Sequence, residues 1–290
     1  MQEHIALNKR AIYLSIGLSL FLVIIKAYAW LLTDSVSLLS SLLDSSLDVV
    51  ISTLNVMAVS YAAVPADEDH RFGHDAIEDI VGLVQAAFIG ASALFLVYEA
   101  SHRFAEPQPV QHATMGIAVL VISMICALII VLYERAVAKR TGSLVVSADV
   151  LHYFSDFLVN ASIILSLFLA AQPGWGIADP VIAVGIALYI FFSALKIGKR
   201  AFNNLMDREL PEEVRNQIVE VLNNDTVILG YHALKTRQSG TRRFIQLHLD
   251  MQASLSLQEA HDIAVQVRSK ILERIGEAEI IIHEDPKSVQ

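Results

Sequence analysis

Six stretches of the chain consist mostly of apolar residues, and they follow one another through the first 200 positions. A helix that crosses a bilayer needs about 20 such residues in succession. The linkers between the stretches are short. We therefore predict an α-helical membrane protein with six transmembrane helices, near residues 12–32, 36–62, 80–101, 113–133, 144–171 and 178–198.

After residue 200 the pattern changes to the shorter alternation of a soluble domain. In the segment 242–251 every second residue is apolar, so a strand there has one face for a core and leaves His248 on the other face. This part predicts an α+β domain of order α-β-β-α-β. Its elements are expected at helix 211–223, strand 228–237, strand 242–251, helix 256–274 and strand 278–284.

These two patterns divide the chain into a transmembrane domain, 1–206, and a second domain, 207–290. Hydrophobic residues make up 54% of the 290 residues, above the roughly 45–50% of soluble domains. The net charge of −9 argues against a nucleic-acid partner. The single cysteine, Cys126, excludes an intrachain disulfide.

The loops on one side of the membrane hold nearly all the Lys and Arg residues, which predicts the orientation of the chain. The loops on the opposite side hold only one basic residue, Arg103. Both termini and the second domain are therefore expected in the cytoplasm, and the chain in the cell inner (cytoplasmic) membrane. The first apolar stretch lacks a small-residue cleavage site and is expected to be a retained span. Lys26, within that stretch, is expected to extend to the outer interface.

Two aspartates, Asp44 and Asp48, interrupt the second apolar stretch one helical turn apart, on one face of the predicted helix. A carboxylate inside a membrane costs roughly 2.5–3.5 kcal/mol on insertion scales, so such residues indicate a functional site. The segment around them aligns without gaps on the fifth stretch, where His152 and Asp156 take the corresponding positions. Because the two helices enter from opposite sides, as in an inverted repeat, both pairs reach the midplane.

These four residues offer three oxygen ligands and one nitrogen ligand, which suits a tetrahedral Zn²⁺ site. Fe²⁺, Co²⁺, Cd²⁺ and Mn²⁺ also accept such ligands. The alternative is a structural polar cluster, but three acids without a buried Lys or Arg nearby have nothing to neutralise them. An empty, ionised site would carry a charge of about −3, so we expect it to hold protons that a metal ion displaces. Alternating access to the two membrane faces would then give cation–proton antiport.

Three more candidate ligands, Asp67, His70 and His74, lie in the predicted loop between the second and third spans. Gly73 lets the backbone bend so that the two imidazoles converge. Three ligands and a water suit Zn²⁺. Pairs of surface histidines without a metal are the alternative.

The motifs Asp44-x-x-x-Asp48 and Leu151-His152-Tyr153-x-Ser155-Asp156, with the loop around His70 and the ending Ile282-His283-Glu284-Asp285-Pro286, resemble the cation diffusion facilitator (CDF) family. Within that family the chain is most similar to the bacterial ferrous-iron and zinc efflux branch. The resemblance covers essentially the whole length. It implies a homodimer and proton-driven efflux of divalent metal ions.

The resemblance also implies that the second domain is metallochaperone-like and binds two Zn²⁺ ions near the dimer interface. On sequence alone its histidines could equally be scattered in solvent. The implied ligands, with Asp285 bridging, are His232, His248, His261, His283 and Asp285. Related proteins often have a lysine where this chain has Ala76, and that lysine pairs with an aspartate. Asp207, the candidate partner, is therefore expected to lose the salt bridge with that lysine.

We expect a transporter and not an enzyme, because four ligands close the midplane site and leave no open position for a reacting water. Zn²⁺ is the expected main cargo and also a bound structural or regulatory ion. The alternatives are Fe²⁺ as the main physiological substrate, or a metal-sensing homologue that does not transport. The expected partners are a second copy of the chain, the lipid bilayer, divalent cations and protons.

Overall fold

The architecture was analysed on a computed structural model, which describes residues 2–34, 36–105, 114–170 and 178–287. The chain divides into two compact units, Gln2–Phe202 and Asn203–Gln290, which are described separately below.

The first unit consists of long helices that follow the predicted apolar stretches. In the described residues they are α1 (Gln2–Thr33), α2 (Val36–Ala62), α3 (Ala76–Ala105), α4 (Thr114–Thr141), α5 (Leu144–Ala170) and α6 (Ala178–Leu205), the last of which runs just past the boundary of this unit. Helices α1, α3, α4 and α6 extend beyond the predicted limits. The apolar run marks only the part of a helix suited to lipid, and good helix formers such as Glu134 and Lys139 continue α4 past it.

Five of these helices are long and apolar enough to span a membrane, within the residues that could be searched: α1, α2, α3, α4 and α6. The helix α5 has a comparable length of 27 residues but carries Asp149, His152 and Asp156. It packs against α2, α3 and α4, so its polar residues face neighbouring helices. Large apolar side chains elsewhere are exposed, for example Ile24 and Leu31. The predicted fold class, a six-helix membrane domain followed by a small α+β domain, is confirmed.

Small and branched residues form the contacts that fix α2 and α5 in this unit. Ala11 and Ile12 of α1, Ala58 of α2 and Val145 of α5 are buried in one cluster. Small side chains let helix backbones approach closely within a membrane. These contacts hold α2 and α5, the helices that carry Asp48 and His152, in one packed cluster with α1.

The second unit contains α7 (Glu212–Asn223), β1 (Gly230–Ser239), β2 (Arg242–Gln252), α8 (Leu257–Ile275) and β3 (Glu279–Lys287). The sheet order is β1-β2-β3, with β1 antiparallel and β3 parallel to β2. The element order matches the prediction, with strand ends shifted by one to three residues. Helix α8 begins with a capping box formed by Ser256 and Glu259.

The apolar face of β2 packs on α7 and α8 and forms the core of this unit. Leu247 and Leu249 are at most 1% exposed, and Ile218 of α7 and Ile271 of α8 are fully buried against them. The opposite face of the sheet carries the histidines. The alternation along β2 thus determines which side is available for ligands.

Candidate metal sites

The first candidate site lies between α2 and α5. Asp48, His152 and Asp156 each offer one ligand atom, and these atoms all lie within 4.8 Å of one another. The Nε2 atom of His152 is 3.0 Å from Oδ1 of Asp48 and 3.8 Å from Oδ2 of Asp156. The side chains of His152 and Asp48 are 13% and 16% exposed, whereas that of Asp156 is 41% exposed, so the cluster is shielded from solvent on one side only.

Asp44, the fourth predicted ligand, is not part of that group in the described residues. It lies one turn before Asp48 on α2, where its carboxylate interacts electrostatically with the side chains of Asp48 and Lys26. Like-charge repulsion between Asp44 and Asp48 is a physical reason for Asp44 to lie apart. The structure therefore brings three of the four predicted ligands together.

Lys26 corrects two expectations. It does not extend to the membrane surface: its side chain is buried, and Nζ donates to Oγ of Ser45 at 2.7 Å and to the carbonyl of Ser41 at 3.1 Å. Because Lys26 faces α2 inside the bundle, its ammonium group is stabilised by two oxygen acceptors of α2 and not by water at the membrane surface. Its charge also acts on Asp44, Asp48 and Asp156, so these acids do have a buried cation nearby. The two serines one turn apart on α2 are the signal that sequence reasoning missed.

A second polar group surrounds Asp149 of α5. Its Oδ1 accepts a hydrogen bond from Nδ2 of Asn55 on α2 at 3.0 Å, an interhelical bond of the kind that polar side chains form within a membrane. Its Oδ2 accepts from the hydroxyl of Ser15 at 3.0 Å. That hydroxyl lies 3.2 Å from Oη of Tyr153, the residue after His152. A hydrogen-bonded network thus adjoins the candidate metal site.

The second candidate site lies in the loop between α2 and α3. Asp67, His70 and His74 form a group with ligand atoms within 4.8 Å of one another, as predicted. Oδ2 of Asp67 is 3.3 Å from Nε2 of His74, and Oδ1 is 3.5 Å from Nδ1 of His70. Gly73 has a φ of 88°, a conformation that favours glycine, and it makes the bend that the convergence requires.

The Asp67 carboxylate is also held by the loop backbone. Its Oδ1 accepts the N–H groups of His70 at 2.7 Å and of Asp69 at 3.0 Å. The hydrogen bond from His70, with that from Asp69 and the nearby imidazoles, lowers the pKa of Asp67 below its ordinary value. The loop thus presents an ionised oxygen ligand beside two imidazoles.

The third candidate site is a row of histidines across the sheet of the second unit. The strand register places His232 opposite His248, and His248 opposite His283. Oδ2 of Asp285 lies 2.8 Å from Nδ1 of His248 and 3.3 Å from Nε2 of His232. Oδ1 lies 3.2 Å from Nε2 of His283. One carboxylate therefore contacts three imidazoles, the arrangement expected of a bridging ligand.

His261 is not brought into this group. It lies exposed on α8, and the described ligand atoms within 4.8 Å of one another belong to His232, His248 and Asp285. The hydrogen bond with His248, followed by the charges of the neighbouring histidines, lowers the pKa of Asp285. Metal ligands must be deprotonated, so this favours binding.

Asp250, on the polar face of β2, was not singled out as a candidate. Its Oδ1 lies 3.2 Å from Nδ1 of His232, and Oδ2 accepts a hydrogen bond from Nζ of Lys287 at 2.6 Å. The bond from Lys287, with the nearby His232, lowers the pKa of this carboxyl. Asp250 therefore orients the second ring nitrogen of His232, as carboxylates do for metal-binding histidines.

Asp207 has a different salt-bridge partner from the lysine that Ala76 replaces. Its Oδ1 lies 3.0 Å from Nη1 of Arg237 on β1, within the second unit. The guanidinium also lies over the ring of Phe244, 4.4 Å from its centroid. A residue from the sheet supplies the partner that the missing lysine does not.

Comparison with known proteins assigns both units to the same protein family. Residues 12–206 match the cation efflux transmembrane domain, and residues 210–287 match the cytoplasmic domain of cation efflux proteins. The chain is 42% identical over 288 residues to the cation-efflux pump FieF of Escherichia coli O1:K1 / APEC and to that of Salmonella arizonae, covering 99% of this chain and 96% of each relative. A solved structure, the metal-bound C-terminal domain of the CzcD transporter from Thermotoga maritima, is 25% identical. It covers 26% of this chain and 87% of that one, with a TM-score of 0.25.

The family match spans the helical unit and the α+β unit in the order that the sequence predicts. Its members are multi-pass membrane proteins that move cations out of a compartment, and the helices and buried carboxylates described above agree with that activity. The chain belongs to the cation diffusion facilitator family of cation efflux transporters.

Proposed function

We propose that this chain exports divalent metal ions, principally Zn²⁺, from the cytoplasm in exchange for protons. The observation that carries the proposal is the cluster of Asp48, His152 and Asp156 between α2 and α5, with ligand atoms within 4.8 Å of one another. Two carboxylates and an imidazole suit a borderline divalent ion, and Asp44 one turn away supplies a fourth ligand.

The proposed exchange follows from the charges at this cluster. Asp48 and Asp156 lie beside His152, Asp44 lies one turn before Asp48, and the charge of the buried Lys26 ammonium acts on all three acids. Like charges this close together favour protonation of the acids. A metal ion binds the deprotonated ligands, so protons leave as it arrives. If the site opens to one membrane face at a time, each metal ion moves one way and protons move the other.

The groups in the α2–α3 loop and on the sheet of the second unit contain the ligand types of further Zn²⁺ sites, and we assign these sites structural or regulatory roles. The three donor sets fit zinc by type, since each combines one or two imidazoles with one or two carboxylates. The proposal also includes a homodimer, a transmembrane domain 1–206 and a cytoplasmic domain 207–290. It places the chain in the inner membrane with both termini in the cytoplasm, which rests on the distribution of Lys and Arg.

Two alternatives use the same site. Iron(II) accepts the same ligands, and the similar FieF pumps do not settle the choice, because their names specify only cations. A metal sensor that does not transport would tolerate loss of a midplane ligand. This chain keeps Asp44, Asp48, His152 and Asp156, which favours transport.

Zinc flux into sealed liposomes tests the proposal. The wild type is compared with Asp48→Asn, and with Asp34→Asn as a matched control at the exposed end of α1, where asparagine tolerates the φ of 46°. We expect flux in the wild type and the control and at least a tenfold loss in Asp48→Asn. Zinc binding without flux in the wild type would favour the sensor instead. A faster flux of Fe²⁺ than of Zn²⁺ at equal concentration would show that Fe²⁺, and not Zn²⁺, is the main substrate.

A further inference from the structure

A pair of acids on α4 and α5 takes no part in the candidate metal site. Glu134 and Asp149 are both fully buried, at 0% exposure. Their carboxyl groups lie within hydrogen-bonding reach of each other. Two buried acids side by side in a membrane helix bundle need a compensating partner, because an unpaired charge there is costly.

The hydrogen bonds show which of the two acids is short of partners. Both oxygens of Asp149 accept bonds from described residues, one from Asn55 and one from Ser15, each at 3.0 Å. Gln85 supports Asn55 by donating to its Oδ1 at 2.8 Å. In contrast, neither carboxyl oxygen of Glu134 receives a hydrogen bond from an N–H or O–H group in the described part of the chain.

This asymmetry requires a proton. An ionised carboxylate only accepts hydrogen bonds, so two ionised acids cannot bond to each other. With a proton on Glu134, its hydroxyl donates to Asp149, whose charge is already stabilised by Asn55 and Ser15. The arrangement leaves Asp149 with three donors and removes the buried charge on Glu134.

We infer that Glu134 and Asp149 form a proton-binding site separate from the metal ligands, and that metal arriving at the midplane releases its proton. The second half of this inference rests on the proposed function. It would make the number of protons released per metal ion larger than the ligands alone supply.

The position of the pair gives the physical link. Asp149 is one helical turn before His152, and Ser15 connects it to Tyr153 at 3.2 Å. The charged groups that act on the pair are His152 on α5 and Asp48 on α2, whereas α1 and α3 contribute the uncharged Ser15 and Gln85. A divalent cation between Asp48 and His152 brings two positive charges, so it adds net positive charge within this range when fewer than two protons leave those ligands. It therefore favours the doubly ionised pair over the protonated one.

The test counts protons released when Zn²⁺ binds the full-length protein in detergent, in weakly buffered solution with a pH indicator. Glu134→Gln is the key variant, because its amide can still donate to Asp149 and preserve the fold. Glu99→Gln on α3 is the matched control. Subtracting the release by Asp48→Asn isolates the midplane site. We expect Glu134→Gln to release about one proton fewer per zinc ion than the wild type and the control. Equal release by Glu134→Gln and wild type would overturn the inference.

Infrared spectroscopy separates failure of this inference from failure of the proposed function. A protonated carboxyl has its own carbonyl band, and the protonated midplane acids contribute to that band as well. We therefore expect the metal-free wild type to show a component of the band that Glu134→Gln lacks. Identical bands in the two proteins would overturn the inference. If that component is present but no zinc-dependent proton release depends on Asp48, the proposed exchange fails, and with it the coupling of this pair to metal.

Discussion

The ammonium nitrogen of Lys26 lies 2.7 Å from the hydroxyl oxygen of Ser45, the residue after Asp44. This bond crosses from α1 to α2 and keeps a buried positive charge beside the proposed metal ligands. A fixed cation there offsets part of the charge of the acids when no metal is bound. It also repels the metal ion that enters.

Replacing Lys26 with methionine should therefore tighten Zn²⁺ binding at the midplane site. The expected gain is at least about threefold in affinity, because a unit charge acts strongly on a divalent ion within a few ångströms in a low-dielectric interior. Zinc titration of the full-length protein measures it, with Asp48→Asn as the reference for the other sites. Lys199→Met, at an exposed lysine on α6, is the matched control and should have no effect. Weaker or unchanged binding in Lys26→Met would show that Lys26 does not act on the cation.

Zinc binding at the loop should be lost when its histidines are protonated. Hydrogen bonding lowers the pKa of Asp67, so its contribution as an ionised ligand is present above its ordinary pKa and is lost only as the pH falls through the lowered one. Protons compete with the metal ion for the ring nitrogens of His70 and His74. We therefore expect zinc binding at the loop to weaken as the pH falls, while Asp67 is still ionised.

A pH titration of zinc binding checks this, by comparing wild type with His74→Ala. The difference between the two should disappear towards the acidic end of the range. A difference that persists undiminished to about pH 5 would mean that histidine protonation does not control the site.

In the second unit, Asp285 should matter far more for zinc binding than His261. Asp285 contacts His232, His248 and His283, whereas His261 is exposed on α8 outside the described group. We expect Asp285→Asn to weaken tail zinc binding about 10- to 100-fold and His261→Ala by less than threefold. Calorimetric titration of the full-length protein tests this. An equal loss in both variants would require His261 to join the site when metal is present.

Much of this architecture can be read from the sequence, because local periodicity determines it. Alternation along β2 predicted both the core face with Leu247 and the ligand face with His248, and the strand register then placed His283 beside His248. The pairing of Asp48 with His152 followed from equal depth in two helices. These inferences need only the spacing within an element and the order of elements.

Contacts that depend on how helices rotate against each other were not predictable in this way. The sequence allows Lys26 to face either lipid or α2, and the packing of α1 on α2 determines that it faces α2. The same holds for Glu134 and Asp149, whose proximity depends on the rotation of α4 against α5. Asp44 has the right spacing for a ligand, yet repulsion between carboxylates leaves it outside the group.

Zinc should also change the separation of the two tails in the proposed dimer. The domain 207–290 holds 14 Asp and Glu against 10 Lys and Arg, so two copies of it repel each other, and metal bound near their interface would reduce that repulsion. A spin label at Leu257→Cys, a highly exposed position on α8, reports the distance between copies once the buried Cys126 is replaced by serine. We expect a shorter distance with zinc than with chelator. The same distance in both conditions would exclude a regulatory role through closure.

The central claim, exchange of metal for protons through the cluster of Asp48, His152 and Asp156, is tested most directly by recording zinc flux and lumenal pH together in sealed proteoliposomes. The account predicts that an imposed proton gradient drives zinc against its own gradient, that proton movement accompanies each zinc ion, and that both signals vanish in Asp48→Asn. Zinc flux that is unaffected by the proton gradient and unaccompanied by a pH change would contradict it.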